Sequence, residues 1–184
     1  MTGTGEQTGP RPGKSEVLCE GSHLSLKKRD GWEYVERRGA SSGVMIVAIT
    51  AENRVVLVEE DRPPVEGRVI SLPAGLVGDA GEREGAPEAA RRELLEETGF
   101  ECDALDCLGE GPVSPGLTSE RVLFFLASGA RRSAGARAEE GIVVHEIPLA
   151  DVLSWSRRRS GEGALVHPML WAGLYLATEG GRTP

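Results

Sequence analysis

The sequence predicts an α/β fold in which a mixed β-sheet lies between helices. Two observations carry that expectation. Strand-like and helix-like segments follow the order β-rich, helix, β-rich, helix, without the regular βα alternation of a parallel sheet. The run GVMIVAIT at 43–50 is almost continuously apolar, as in a strand covered on both faces. At 184 residues the chain is long enough for one domain with a real core.

Residues 1–15, MTGTGEQTGPRPGKS, are rich in Gly, Thr and Pro without periodicity and are expected to form a disordered tail. Residues 16–40 are expected to hold an N-terminal β-hairpin, because HLSLKKR and WEYVERR alternate on either side of Asp30-Gly31, a strong two-residue turn signal. The main domain then runs over 41–180. AENR turns the 43–50 strand into a second one, VVLVEE, and residues 61–67 read as a loop because they hold Pro63-Pro64 and a glycine. VISL is a short strand leading into Pro73-Ala74-Gly75. After the central helix, FECDALDCLGE reads as one strand, VSPGLTSE as a loop, RVLFFLA as a strand, ARRSAGARAEEG as a polar loop and IVVHEIPL as a strand. A short helix is expected over ADVLSWSRRR and a longer apolar one begins at about Pro168.

Composition excludes several classes. A net charge of −8 lacks the basic face that nucleic acid or a membrane surface demands, so neither is an expected partner. Cys19, Cys102 and Cys107 are odd in number and lack metal-ligand spacing, which points to reduced thiols and a cytoplasmic protein. No apolar run approaches the length of a membrane span, and the N-terminus lacks the apolar core of a signal peptide. His23, His145 and His167 are scattered and receive no role.

The chemistry sits in residues 75–100, GLVGDAGEREGAPEAARRELLEETGF. Pro87 suits a first helical position and Gly99 the left-handed residue past the end, with good helix formers between them. Helical spacing gathers Glu93, Glu96 and Glu97, where like charges repel and the helix C-terminus disfavours anions. Such a helix gains from a cation, and an all-oxygen carboxylate set points to magnesium, manganese or calcium rather than zinc or copper.

From Gly78 the residues also match G-x5-E-x7-R-E-U-x-E-E-x-G-U, with Gly78, Glu84, Arg92, Glu93, Leu94, Glu96, Glu97, Gly99 and Phe100 at the fixed places. This resembles the box of the Nudix hydrolases. LPAG at 72–75 resembles the motif that in the family carries the box's first glycine itself, so three extra residues precede Glu84, and either Glu82 or Glu84 takes the first glutamate place. RPP at 62–64 and SPG at 114–116 are similar to marks of the ADP-ribose pyrophosphatases within that superfamily. Glu60-Asp61 and Ser71 depart from the Gln-Tyr and Glu often found there.

The resemblance implies a Nudix-type α/β/α sandwich and Mg²⁺-dependent hydrolysis, with Mn²⁺ as the alternative ion, of the pyrophosphate bond in a small nucleoside diphosphate derivative. ADP-ribose, cleaved to AMP and ribose 5-phosphate, is the best single candidate. Another NDP-sugar or a dinucleotide is the alternative substrate, and a non-catalytic ADP-ribose-sensing regulator the alternative class. By resemblance the metal set is the Ala74 carbonyl with Glu93, Glu96 and Glu97, while Arg92 and Glu84 form a structural ion pair. Glu139 or Glu140, in the loop before IVVHEI, would be the catalytic base. Arg62 would fork onto phosphate, Trp32 would stack on adenine with Glu33 bonding to it, and Ser114 and Glu120 would touch the terminal ribose or shape their loop. Relatives are dimers through the N-terminal region, so a homodimer is expected, with Trp32 serving the partner's site if that region is exchanged.

Overall fold

The computed structural model describes residues 13–40, 42–78 and 84–179. Most of the expected N-terminal tail, and Glu82 with it, lie outside the described residues. The chain begins with a three-stranded antiparallel sheet of β1 (Glu16–Glu20), β2 (Leu24–Arg29) and β3 (Trp32–Arg37), in that order. Asp30 and Gly31 both take positive φ, as the expected two-residue turn requires. The sequence reading found β2 and β3 but not β1, whose five residues EVLCE are all exposed and show no burial pattern.

A nine-stranded mixed sheet follows. It contains β4 (Gly43–Thr50), β5 (Arg54–Arg62), β6 (Gly67–Ser71), β7 (Ala74–Leu76), β8 (Phe100–Glu101), β9 (Ala104–Pro112), β10 (Arg121–Arg132), β11 (Val143–Pro148) and β12 (Leu165–Val166). Its main path is β12-β6-β5-β4-β10-β8, with β11 paired to β5, β7 to β4 and β9 to β10. The β10–β4 and β12–β6 pairs are parallel and the others antiparallel. Helix α1 (Ala86–Thr98) covers one face, while α2 (Val152–Gly161) and α3 (Pro168–Glu179) cover the other.

The period-2 geometry of strands divides the core in two. Val44, Ile46 and Ala48 of β4 pack with Ala89, Ala90 and Leu94 of α1; Met45 and Val47 pack with Trp155 of α2 and Leu170 of α3. This is the expected α/β/α sandwich. Local boundaries differ from the sequence reading in several places; β10 for one runs on through Ala130–Arg132, expected in the polar loop, because Arg131 and Arg132 pair with β8. Asp61 and Arg62 extend β5 and Gly67 opens β6, so only residues 63–66 leave the strands, as a 3-10 turn capped by Glu66 in a tight hairpin. Cys102 and Asp103 divide the single strand expected after α1 into β8 and β9, both on β10. The two-residue β12 escaped notice because Leu165-Val166 reads as the start of the apolar helix behind it.

Strand pairing also opens the cleft that matters for function. β4 and β5 pair only at Ala48–Val56 and Ile49–Val55. Beyond that they part, β4 taking β7 at Gly43–Met45 and β5 continuing with β6 to Arg62.

On the α2 face, Glu59 of β5 is 3% exposed and gathers four elements. It accepts hydrogen bonds from Arg68 Nε of β6 (3.0 Å) and Arg159 Nη2 of α2 (2.8 Å), and pairs with His145 Nε2 of β11 at 2.8 Å. Burial alone would raise its pKa, but the hydrogen bonds from His145, Arg159 and Arg68 outweigh burial and hold the carboxyl below its ordinary value. Its stabilisation is therefore present above the unfolded carboxylate pKa and is lost as pH falls through the lower folded value. We expect Glu59→Ala to lower unfolding free energy by about 3 kcal/mol, measured by urea denaturation at pH 7. A loss under about 0.5 kcal/mol, the scale of ordinary surface substitutions, would mean that this cluster does not fasten α2 to the sheet.

Candidate active site

Helix α1 and the β7 strand build the site together. Gly85 is the N-cap and Pro87 follows the first helical residue, Ala86, one place later than the sequence suggested. Gly99, with φ of 73°, closes the helix by donating its N–H to the Leu95 carbonyl. On the last two turns Leu94 enters the core, while Glu93 and Glu97 are buried beside β7.

Arg92 ties this helix to the preceding segment. Its guanidinium donates to Glu84 Oε1 (2.7 Å) and Oε2 (3.1 Å), Glu93 Oε1 (2.8 Å), Glu96 Oε2 (2.8 Å) and the Leu76 carbonyl (3.2 Å). The Glu84 hydrogen bonds are the leading reason that Arg92 stays firmly protonated. Glu84 Oε2 also accepts the Gly78 N–H at 3.2 Å. The Glu84–Arg92 pair is thus present as the sequence suggested.

Glu97 is different. It is 8% exposed, and its Oε2 accepts the Ala74 N–H at 2.9 Å. Among the described residues no arginine or lysine hydrogen-bonds to it. Burial, with added repulsion from Glu93 and Glu60, pushes its carboxyl up to about 8, against the pull of the Ala74 N–H and of Arg62. Glu93 is also raised, chiefly by burial, although Arg92 opposes the shift. The two carboxyls are therefore adjacent, desolvated and only partly neutralised. Gly75 makes their position feasible: a Cβ there would lie 1.9 Å from the Glu93 carboxyl carbon, so any side chain would expel it.

Of the three glutamates read as one set, Glu96 stands apart, half-exposed and turned to Arg92. Among the described residues no three acidic, His or Cys side chains form a ready-made cage. The donor set nevertheless fits a hard divalent cation, because two buried carboxylates without a full cationic partner are what such an ion relieves.

The cleft opened by the parting of β4 and β5 has a volume of about 490 Å³. Ala74, Gly75, Met45, Arg62, Arg37 and His167 are among its walls. Arg62, at the end of β5, pairs with Glu60, whose Oε1 is buried in ion-pair contact but not in hydrogen-bond geometry. Arg62 also lies in electrostatic reach of both Glu97 and His167. A larger cavity of about 680 Å³ lies among Val47, Ile49, Leu126 and Leu174, but it includes neither Ala74 and Gly75, against which Glu97 and Glu93 pack, nor Arg62. We place the chemistry in the 490 Å³ cleft.

The remaining sequence candidates fall around it. The loop bearing Glu139 and Glu140 is anchored at the end of α1 by the Glu139 N–H, which donates to the Glu96 carbonyl at 2.9 Å; both side chains are exposed. Ser114 shapes its loop, its carbonyl accepting the N–H groups of Leu117 and Thr118. β3 is tied to that loop through Val35, which donates to Leu117 O (2.8 Å) and accepts from Ser119 N–H (3.1 Å). Trp32 is 66% exposed beside Gly116, in a shallow recess with Arg29, Tyr34 and Pro115. Glu33 is exposed too, and adjacent strand positions project to opposite faces. The structure does not bring Trp32 and Glu33 into the cleft with Glu97 within one chain.

Sequence reasoning missed Arg37, which reaches the cleft from β3 and pairs with Glu120 at 3.0 Å. Its position five residues after Trp32 was readable, but nothing in the sequence says that β3 lies along the 113–120 loop.

Comparison with known proteins agrees with this geometry. Residues 40–161 match the NUDIX domain model. The chain is 34% identical to a methanol dehydrogenase activator of Bacillus methanolicus over 69% of this chain and 67% of that protein. It is also 34% identical to an ADP-ribose pyrophosphatase of Bacillus subtilis (strain 168), over 75% of this chain and 73% of the relative. Its fold resembles the crystal structure of an ADP compounds hydrolase, with a TM-score of 0.68 over 97% of this chain and 100% of that one, at 21% identity. The domain match covers most of the chain and coincides with the carboxylate-bearing helix and its glycine-backed strand: the chain belongs to the Nudix hydrolases, as a Nudix pyrophosphohydrolase.

Proposed function

We propose that the protein hydrolyses ADP-ribose to AMP and ribose 5-phosphate in a Mg²⁺-dependent reaction, with Mn²⁺ as a substitute ion. The observation that carries this reading is the buried Glu93–Glu97 pair, short of positive charge, packed behind Ala74 and Gly75 in the wall of a cleft that also holds Arg62. Relatives named ADP-ribose pyrophosphatase, in Bacillus subtilis and Mycobacterium tuberculosis, support the choice of substrate.

Glu93, Glu96, Glu97 and the Ala74 carbonyl would hold the cation. Once bound, it screens the phosphate oxygens and acidifies the attacking water. Arg62 forks onto the diphosphate, and Arg37 adds a second positive charge at the cleft wall. Glu139 or Glu140 accepts the proton of the water as its loop closes over the end of α1. The water oxygen bonds to one phosphorus, and the bond from that phosphorus to the bridging oxygen breaks, releasing the two monophosphates. Trp32 supplies a flat platform for adenine, Glu33 a polar contact to it, and Ser114 a contact to the terminal ribose.

The N-terminal sheet exposes Val17, Leu18, Leu24, Leu26 and Trp32. That apolar surface supports a homodimer in which residues 16–40 cover a second copy, set against a catalytic domain over 41–180, and each Trp32 serves its partner's cleft.

Two tests follow from these roles. Glu97→Gln should lower kcat at least about a hundredfold with the fold intact, since the amide still accepts the Ala74 N–H but cannot carry charge. The same variant checks the electrostatics. Between the ordinary carboxyl value of 4.5 and about 8 the native state holds a proton that the unfolded chain releases. Metal-free wild type therefore loses stability as pH rises through that window, on the order of a few kcal/mol in total. Thermal denaturation in EDTA should show that decline in wild type and a flatter profile in Glu97→Gln. Normal turnover by the variant at saturating magnesium would remove Glu97 from the site.

Substrate recognition separates from chemistry by kinetics. Trp32→Ala should raise KM for ADP-ribose about tenfold with kcat little changed, because stacking acts in ground and transition states alike. Arg62→Ala should lower kcat as well as affinity, since charge shifts on the diphosphate during reaction. Equal loss by Trp32→Ala on a nucleotide sugar without adenine would make Trp32 a packing residue only.

A further inference from the structure

His167 is a residue that neither the sequence pattern nor the Nudix box gives a role. It stands between β12, which runs parallel to β6, and the first turn of α3. Its backbone is held on both sides: the N–H donates to Ile70 O at 2.9 Å, and the carbonyl accepts the Leu170 N–H at 3.0 Å. Pro168 follows and fixes φ at the helix start. The ring is fastened as well, because its Nδ1 accepts the Met169 N–H at 3.1 Å.

That bond determines what the other nitrogen does. An imidazole whose Nδ1 accepts a hydrogen bond carries its proton on Nε2, so Nε2 is a donor. Burial, reinforced by the positive charge of Arg62, holds the ring below its ordinary pKa of 6.5, which keeps it neutral at pH 7. Among the described residues Nε2 has no hydrogen-bond partner. The half-buried ring lines the cleft with Arg62, Ala74 and Gly75.

A helix cap alone asks only for an acceptor, which Ser, Asp or Asn provides with a shorter side chain. Histidine adds a donor on the far side of the ring, set beside an arginine. A neutral N–H can stand next to a guanidinium without charge repulsion, and both groups require an acceptor, preferably an anionic one. We propose that His167 is a substrate-binding residue whose Nε2–H donates a hydrogen bond to a phosphate oxygen of the diphosphate held by Arg62. This rests on the reading of the cleft as a nucleoside diphosphate site.

The test uses the full-length protein and ADP-ribose. His167→Ser keeps a helix-capping oxygen but is too short to reach the ligand; His167→Gln restores an N–H donor at longer reach. Calorimetry in EDTA, where no turnover occurs, gives the dissociation constants. His167→Ser should weaken binding about tenfold, the scale of one hydrogen bond to a charged group, and His167→Gln should recover a large part of it. Thermal midpoints should stay close to wild type. With magnesium, KM should rise in His167→Ser, and kcat should fall less than in Arg62→Ala, because a neutral N–H responds less than a guanidinium to charge that shifts on the diphosphate. In the wild type, the His167 Nε2–H resonance should shift on adding ADP-ribose, a readout that does not depend on any variant folding. Wild-type binding with an unmoved resonance, or with His167→Ser binding as tightly as wild type, overturns this inference alone. Failure of wild type both to bind and to cleave ADP-ribose overturns the functional reading and this inference with it.

Discussion

Arg92 is the interaction on which the site depends. One guanidinium meets three carboxylates and the Leu76 carbonyl, and so fastens the β7 strand and the Glu84 segment to the last turns of α1. Without it, three like charges would crowd one helix end where the dipole also opposes them. Its reach is limited, however. Glu84 and Glu96 are satisfied, Glu93 is shared, and among the described residues Glu97 receives only the Ala74 amide. The fold thus spends one arginine on holding the box together and leaves one buried carboxyl for a cation to complete. A second arginine over Glu97 would make a more stable protein and a poorer metal site.

The sheet sets the other half of the arrangement. β4 and β5 share only two paired positions before they separate, and Arg62 at the end of β5 lies in electrostatic reach both of Glu97 on the α1 side and of His167 on the α3 side. Both walls belong to the sheet: β7 is paired to β4, and β6 is paired to β5 and β12. The loop that carries Glu139 and Glu140 is fastened to the end of α1 through the Glu139 N–H and the Glu96 carbonyl. The N-terminal sheet reaches the cleft through Arg37, while its Trp32 remains outside in the same chain. That division is the geometric reason to look for a second copy.

Much of this was legible in the sequence because it is local. The helix from Ala86 to Thr98, its glycine stop, the Asp30-Gly31 turn and the apolar β4 each follow from a short pattern. The Glu84–Arg92 pair was legible too, since the box brings both residues to one place. What was not legible depends on contacts distant in sequence. β12 is two residues long and exists only because β6 lies beside it. Helical spacing groups Glu93, Glu96 and Glu97, but it does not tell that Arg92 draws Glu96 outward while β7 covers the other two. Arg37 and His167 meet one cleft from opposite ends of the chain, and neither belongs to a motif. Gly75 appears in sequence as part of a turn, whereas its function is to leave room for the Glu93 carboxyl.

The central claim is that Glu97 is a protonated, buried carboxyl until a divalent ion displaces its proton. Titration of Mg²⁺ into metal-free wild-type protein at pH 7, repeated in two buffers of different ionisation enthalpy, measures that exchange directly. With the Glu97 carboxyl pushed up to about 8, binding should release most of one proton per protein chain. Binding that releases no proton would contradict the account, because Glu97 would then already be ionised or would lie outside the metal site.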